Sequence, residues 1–173
     1  MPGQAVASNE NETGRVLTLS PGEGRAIWFL HDLMVVKATA ESTGGAYGLV
    51  ESVIPPGFSP PLHIHHREDE AFWVLEGELT YCCDGRTFRT GPGGYVFLPR
   101  GLPHSFIVEG DTPGRMLTLL TPGGGEGFFI DAGRPAEWIG LPPAEPLDSP
   151  KLASAGQRYG LELVGPPLRR AGH

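Results

Sequence analysis

Glycine and proline cut the apolar runs of this chain into pieces too short for helices of ordinary length. Residues 71–75, 95–98 and 116–120 show this most clearly, with Gly77, Pro99 and Pro122 just beyond their ends. Short apolar runs bounded by such residues read as strands joined by turns. With Gly 26 and Pro 18, the composition approaches that of chains that stay unfolded, but the apolar runs require burial. A length of 173 residues suits one substantial core and is short for two. One domain over 15–168 is therefore expected, its core near 30–120, with 1–14 and 169–173 as flexible tails.

Strands are predicted at 15–19, 26–30, 33–38, 47–54, 70–76, 79–83, 86–90, 95–98, 104–108 and 115–120. Asp84-Gly85 is the strongest local signal, a two-residue turn of the primed kind between two strands. So many short strands, with no alternating long helices, imply an all-β fold: a closed or double-layered antiparallel barrel. One short helix is expected over 150–159, with Ser149 as cap, Pro150 at the first position and Gly160 at the exit. Residues 161–164 follow as an edge strand.

Charge and cysteine usage exclude several roles. A formal charge of -7 with no basic stripe argues against nucleic acid. No apolar stretch reaches membrane-spanning length, and residues 1–13 are too polar for a secretion signal. Cys82 and Cys83 are neighbours on a strand and face opposite ways, so they are expected as packed thiols. A cytoplasmic setting is the simplest expectation.

Chemistry concentrates between Gly57 and Gly77. His63 and His65 are two apart, so on an extended backbone both imidazoles leave one face. Pro60-Pro61 holds the approach extended. Glu70 opens the next strand and offers an oxygen; His104 offers a third nitrogen further along. Three imidazoles and a carboxylate suffice to hold one divalent transition metal, whether Fe, Mn, Ni, Co, Cu or Zn. Glu68 and Asp69 beside Glu70 are expected as solvated carboxylates, since clustered like charges repel. His66 should face away, bonded to Glu68 or Asp69, and His31 reads as an ordinary turn residue.

These residues resemble the cupin superfamily, whose first signature is Gly, five residues, His-x-His, three or four residues, Glu, six residues, Gly. Gly57, His63, His65, Glu70 and Gly77 meet it in full. Gly93, Pro99, Gly101 and His104 meet the second signature, whose final asparagine is here Val108. The resemblance implies a jelly-roll barrel with extra N-terminal strands and a short C-terminal helix. The stretches at 28–39, 65–72 and 160–167 are similar to bacterial single-cupin proteins labelled quercetin 2,3-dioxygenase-like.

Phe72, Val74, Phe106 and Val108 lie in phase with Glu70 and His104 and are candidates for an apolar pocket wall. Tyr47, Leu49 and Met116 are further candidates whose phase the sequence leaves open. The resemblance implies a metal-dependent dioxygenase acting on a flavonol-like or other enolic aromatic molecule with dioxygen, Glu70 taking the substrate proton. The alternatives are an oxygen-independent isomerase, cyclase or decarboxylase, and a non-catalytic small-molecule-binding cupin. A homodimer is expected, the N-terminal strand and residues 161–164 covering a partner's edge strands.

Overall fold

The computed structural model describes residues 16–144 and 148–170. Ten strands run in chain order: β1 Arg25–Phe29, β2 Asp32–Ala38, β3 Gly48–Ile54, β4 Pro61–His65, β5 Asp69–Glu76, β6 Leu79–Cys83, β7 Arg86–Thr90, β8 Tyr95–Leu98, β9 His104–Val108 and β10 Gly114–Thr121. Helix α1 (Glu126–Ala132), strand β11 (Arg134–Pro135), helix α2 (Ser149–Tyr159) and strand β12 (Leu161–Pro167) complete the order.

The strands form two sheets, β11-β1-β2-β3-β10-β5-β8 and β12-β4-β9-β6-β7. The fold is thus all-β and two-layered with a short C-terminal helix. No ladder among the described residues joins the sheets into the closed barrel that the strand count suggested. Residues 16–20 are irregular and Val16 is exposed, so the part of the 15–19 strand that falls within the described residues is not a strand. The two-residue turn between β6 and β7 is as expected: Asp84 and Gly85 take φ 48 and 73, and Cys83 pairs with Arg86. Cys82 and Cys83 are free thiols.

The inner faces of the sheets supply the core. On β3 and β10 burial alternates strictly, so Val50, Ser52 and Ile54, then Met116, Thr118 and Leu120, point inward. One cluster packs Ile54, Phe72, Tyr81, Phe106 and Met116 between the sheets. A second packs Ile27, Phe29, Met34 and Val50 under Phe128 and Phe129 of α1. These two aromatics belong to a helix, an element that the glycine-rich 122–127 approach had hidden.

Helix α2 starts one residue earlier than its sequence signal. Asp148, not Ser149, is the cap, its side chain accepting from Lys151 N at 3.0 Å. Gly160 ends it in the left-handed region at φ 75. The chain then enters β12, which pairs with β4 of its own chain, Leu161 opposite His65 and Leu163 opposite His63. The segment expected to cover a partner's edge strand therefore covers an edge of its own sheet. No helix among the described residues is long and apolar enough to cross a membrane.

Candidate metal centre

The four candidate ligands come from both sheets. His63 and His65 lie on β4, His104 is the direct register partner of His63 on β9, and Glu70 projects from β5 of the facing sheet. Their ligand atoms all lie within 4.8 Å of one another. Glu70, His65 and His104 are buried.

Each imidazole is oriented through its outer nitrogen. His63 Nδ1 lies 2.7 Å from Pro61 O and His104 Nδ1 lies 2.9 Å from Leu102 O, in both cases the carbonyl two residues back. A carbonyl only accepts, so both Nδ1 atoms carry hydrogen and the Nε2 lone pairs of the neutral rings face inward. His65 Nδ1 meets Glu68 Oε1 at 3.1 Å, the carboxylate doing the same work. On the inner side, His104 Nε2 is 3.0 Å from Glu70 Oε2 and His65 Nε2 is 3.6 Å from it. A bare lone pair against a carboxylate oxygen at 3.0 Å is repulsive unless a proton or a cation lies between them. The donor set therefore fits a cation: the four residues form a single site suited to one divalent transition-metal ion. Three nitrogens and one oxygen do not choose among Fe, Mn, Ni, Co, Cu and Zn.

The electrostatics follow the same geometry. Burial, aided by the neighbouring His104 and His65, pushes His63 down to about 4, so its ring is neutral at pH 7 and available as a ligand. Burial alone would also lower His65, but the Glu70 and Glu68 carboxylates outweigh it and raise that ring above its ordinary value. Burial opposes ionisation of Glu70; His65, the His104 hydrogen bond and His63 together outweigh it and hold the carboxyl down to about 2.

Glu68 is buried, not solvated as its acidic neighbours suggested. Gly125 makes room for it, since a Cβ there would collide with the Glu68 carboxylate. Asp69 does reach the surface, where Arg100 Nε and Nη2 grip its two oxygens at 3.0 and 2.9 Å. Those bonds hold Asp69 down to about 2. His66 faces away as expected, but its partner is Glu162 of β12, at 2.8 Å, in place of Glu68 or Asp69.

A cavity of about 640 Å³ opens onto the four ligands. Of the pocket candidates, Phe72, Phe106 and Met116 line it. Val74 and Val108 are fully buried in the intersheet cluster instead. Leu49 falls on the outer face of β3, between Gly48 and Val50, and Tyr47 precedes the strand and is exposed; neither lines the cavity. Part of the remaining wall comes from elements that sequence phase did not point to: Phe128 and Phe129 of α1, Leu152 and Gly156 of α2, and Leu161 and Leu163 of β12. Their sequence signals were apolar residues after a glycine-rich stretch, a short capped helix and the edge strand expected at 161–164.

Residues 50–120, which contain all four ligands, match the family model described as Cupin domain. The chain carries a cupin domain. Among curated proteins, this cupin is 31% identical over 119 residues to quercetin 2,3-dioxygenase of Bacillus subtilis strain 168, covering 69% of this chain and 35% of that protein. It is 30% identical over 89 residues to polyketide synthase CurC of Streptomyces cyaneus, covering 51% of this chain and 56% of that one. The chain thus spans only about a third to three-fifths of the length of the curated relatives it matches. Among solved structures, a predicted oxalate decarboxylase from Thermotoga maritima superposes with TM-score 0.55 at 22% identity, over 62% of this chain and 99% of that one. The Schizosaccharomyces pombe Cnp3 cupin domain gives TM-score 0.54 at 19% identity, over 62% and 75%. At such identities the structural likeness speaks for the fold alone.

Proposed function

We propose that this cupin is a metal-dependent dioxygenase acting on a flavonol-like or other enolic aromatic substrate. The observation that carries the reading is the chemistry of the cavity: its lining includes Phe29, Phe58, Phe72, Phe106 and Met116 and, among the described residues, no lysine or arginine. A flat apolar molecule gains from burial there. A sugar phosphate would meet Glu70 and Glu162 with no lysine or arginine beside the ligand cluster to receive it. The partial similarity to a quercetin 2,3-dioxygenase supports the same direction.

An ion held by His63, His65, Glu70 and His104 would supply Lewis acidity toward an enolic oxygen and a route to dioxygen. The chain's own residues do the rest. The three Nδ1 bonds fix the imidazoles before substrate arrives, so little ordering remains on binding. Glu70 is ionised at neutral pH and lies at the cavity wall, where its carboxylate accepts the proton released from the substrate hydroxyl. A carboxyl held near 2 is a weak base, so this transfer needs a hydroxyl acidified within the site. Phe72, Phe106 and Met116 keep water away from the reacting ring.

The test is incubation with quercetin, with and without oxygen, after reconstitution with each candidate ion in turn. Oxygen-dependent loss of the flavonol absorbance with carbon monoxide release is the expected result. Consumption without oxygen would instead indicate an isomerase, cyclase or decarboxylase, and no turnover with any ion would remove the proposal. Glu70→Gln is expected to keep the fold by circular dichroism and to lose most turnover. The homodimer is a separate proposal, checked by light scattering; a one-subunit mass would remove it.

A further inference from the structure

The inner face of the seven-stranded sheet is apolar at most of its buried positions, yet four neighbouring strands each carry one buried polar residue: Asp32 on β2, Ser52 on β3, Thr118 on β10 and Glu70 on β5. Their registers place them on a diagonal. Asp32 is one inward position from Met34, which pairs with Ser52; Ser52 pairs with Met116, one inward position from Thr118. Thr118 pairs with Phe72, one inward position from Glu70. Each diagonal step is roughly 7–8 Å between Cα atoms. All four residues line the same cavity. A polar line thus runs along its wall from the ligand cluster to Asp32.

The far end of this line is unfinished. Asp32 is 2% exposed and its Oδ1 has no hydrogen-bond partner; Ser52 is 1% exposed and its Oγ has none. Elsewhere Glu68 bonds His65, Ser105 bonds Pro60 O, and Glu126 accepts from Ala40 N and Gly124 N, while Arg170 Nε, outside the cavity, also lacks a partner. Buried polar groups in folded proteins are rarely left unpaired, and an acid is the costliest of them to leave so. The acid also sits beside a turn whose Leu30 holds φ 54, in the left-handed region that side chains avoid, and Leu30 and His31 line the cavity with it.

We infer that Asp32, backed by Ser52, is a second recognition point in the cavity, taking a hydroxyl group at the end of an elongated aromatic ligand away from the four-residue cluster. This rests on the reading of the cavity as the substrate chamber and adds a requirement that the ligand cluster does not impose. Burial holds the Asp32 carboxyl well above the usual carboxylate range. In its protonated form, which burial favours, it offers one O–H donor and one carbonyl acceptor, the complement of a hydroxyl, which also gives one hydrogen bond and takes another.

The experiment compares 2-naphthol with naphthalene, titrated by probe fluorescence against the zinc-loaded full chain. The wild type is expected to prefer 2-naphthol, Asp32→Leu to reduce that preference about tenfold, and Asp32→Asn, which keeps a donor and an acceptor, to retain most of it. Asp32→Leu is also expected to melt at or above the wild-type temperature, because a group kept for a ligand and not for the fold is no loss to stability. A preference unchanged in Asp32→Leu, no binding of either probe to the wild type, or a fall in melting temperature would overturn the inference. The quercetin assay separates this from the proposed reaction. Turnover without any Asp32-dependent preference removes the recognition point and leaves the reaction; Asp32-dependent binding without turnover does the reverse.

Discussion

The two ends of the cavity treat their polar atoms in opposite ways. At the cluster, His63, His65 and His104 each commit Nδ1 to a fixed oxygen, from Pro61, Glu68 and Leu102, and turn Nε2 inward. At the other end Asp32 Oδ1 and Ser52 Oγ are buried without a hydrogen-bond partner. The contrast separates two ways of making a site. One end is organised by the chain before anything binds; the other is completed by what binds.

Breaking the organised end has the largest expected effect. His104→Ala removes one of four donors, and the dialysed protein is expected to lose stoichiometric zinc by elemental analysis while keeping its circular dichroism. Next is Glu68→Ala, which leaves all four ligands in place but removes the oxygen that orients His65. A fall in zinc affinity of about 10–100-fold is expected from chelator competition. Unchanged affinity would show that His65 does not need its anchor.

The same end sets a pH dependence. The Glu70 and Glu68 carboxylates hold His65 above its ordinary 6.5, and a protonated imidazole cannot ligate. Zinc affinity is therefore expected to begin falling at a pH above 6.5 as the solution is acidified. Isothermal titration across a pH series reads this directly.

At the unfinished end the sign of a mutation reverses. Asp32→Leu removes an unsatisfied buried acid and is expected to stabilise by about 1–3 kcal/mol. That gain corresponds to about 2–4 °C in melting temperature per kcal/mol. Because the folded-state value of Asp32 lies above the unfolded 3.8, its favourable contribution is complete below 3.8 and is lost as pH rises toward the folded value. The advantage of Asp32→Leu should accordingly be smallest in acid and grow toward neutral pH.

The smallest effect is expected outside the cavity. Arg100→Ala frees Asp69 at the start of β5, and the exposed pair is screened by solvent and salt. A slight fall in melting temperature is expected, vanishing as pH drops from 3.8 toward about 2, where Asp69 protonates in the folded chain.

The organised end was legible in the sequence in two ways: His63 and His65 by local geometry, Glu70 and His104, on other strands, by the spacing of the two signatures. His63 and His65 share a strand, and alternation alone puts both rings on one face. Most strand boundaries up to residue 120 were legible through the glycine and proline that mark them, the expected 15–19 strand and the unpredicted β4 excepted. Glu68 was not, because three acids in a row read as solvent-facing; its burial depends on Gly125, far along the chain, leaving room for it. Tyr47 and Leu49 were placed in the pocket without a known phase, and β3 turns Leu49 outward. Asp32 lies between the strands predicted at 26–30 and 33–38, and only the registers of β2, β3, β10 and β5 reveal the diagonal that joins it to Glu70.

The pairing of β4 with β9 rests on one register pair, His63 opposite His104. Side chains alternate along a strand, so slipping this pairing by a single residue would present the opposite face and carry one imidazole out of the cluster. A cation held by both rings would therefore favour the correct alignment of two strands about forty residues apart. A misaligned chain would lose one of its nitrogen donors, so binding would select the chain folded in register.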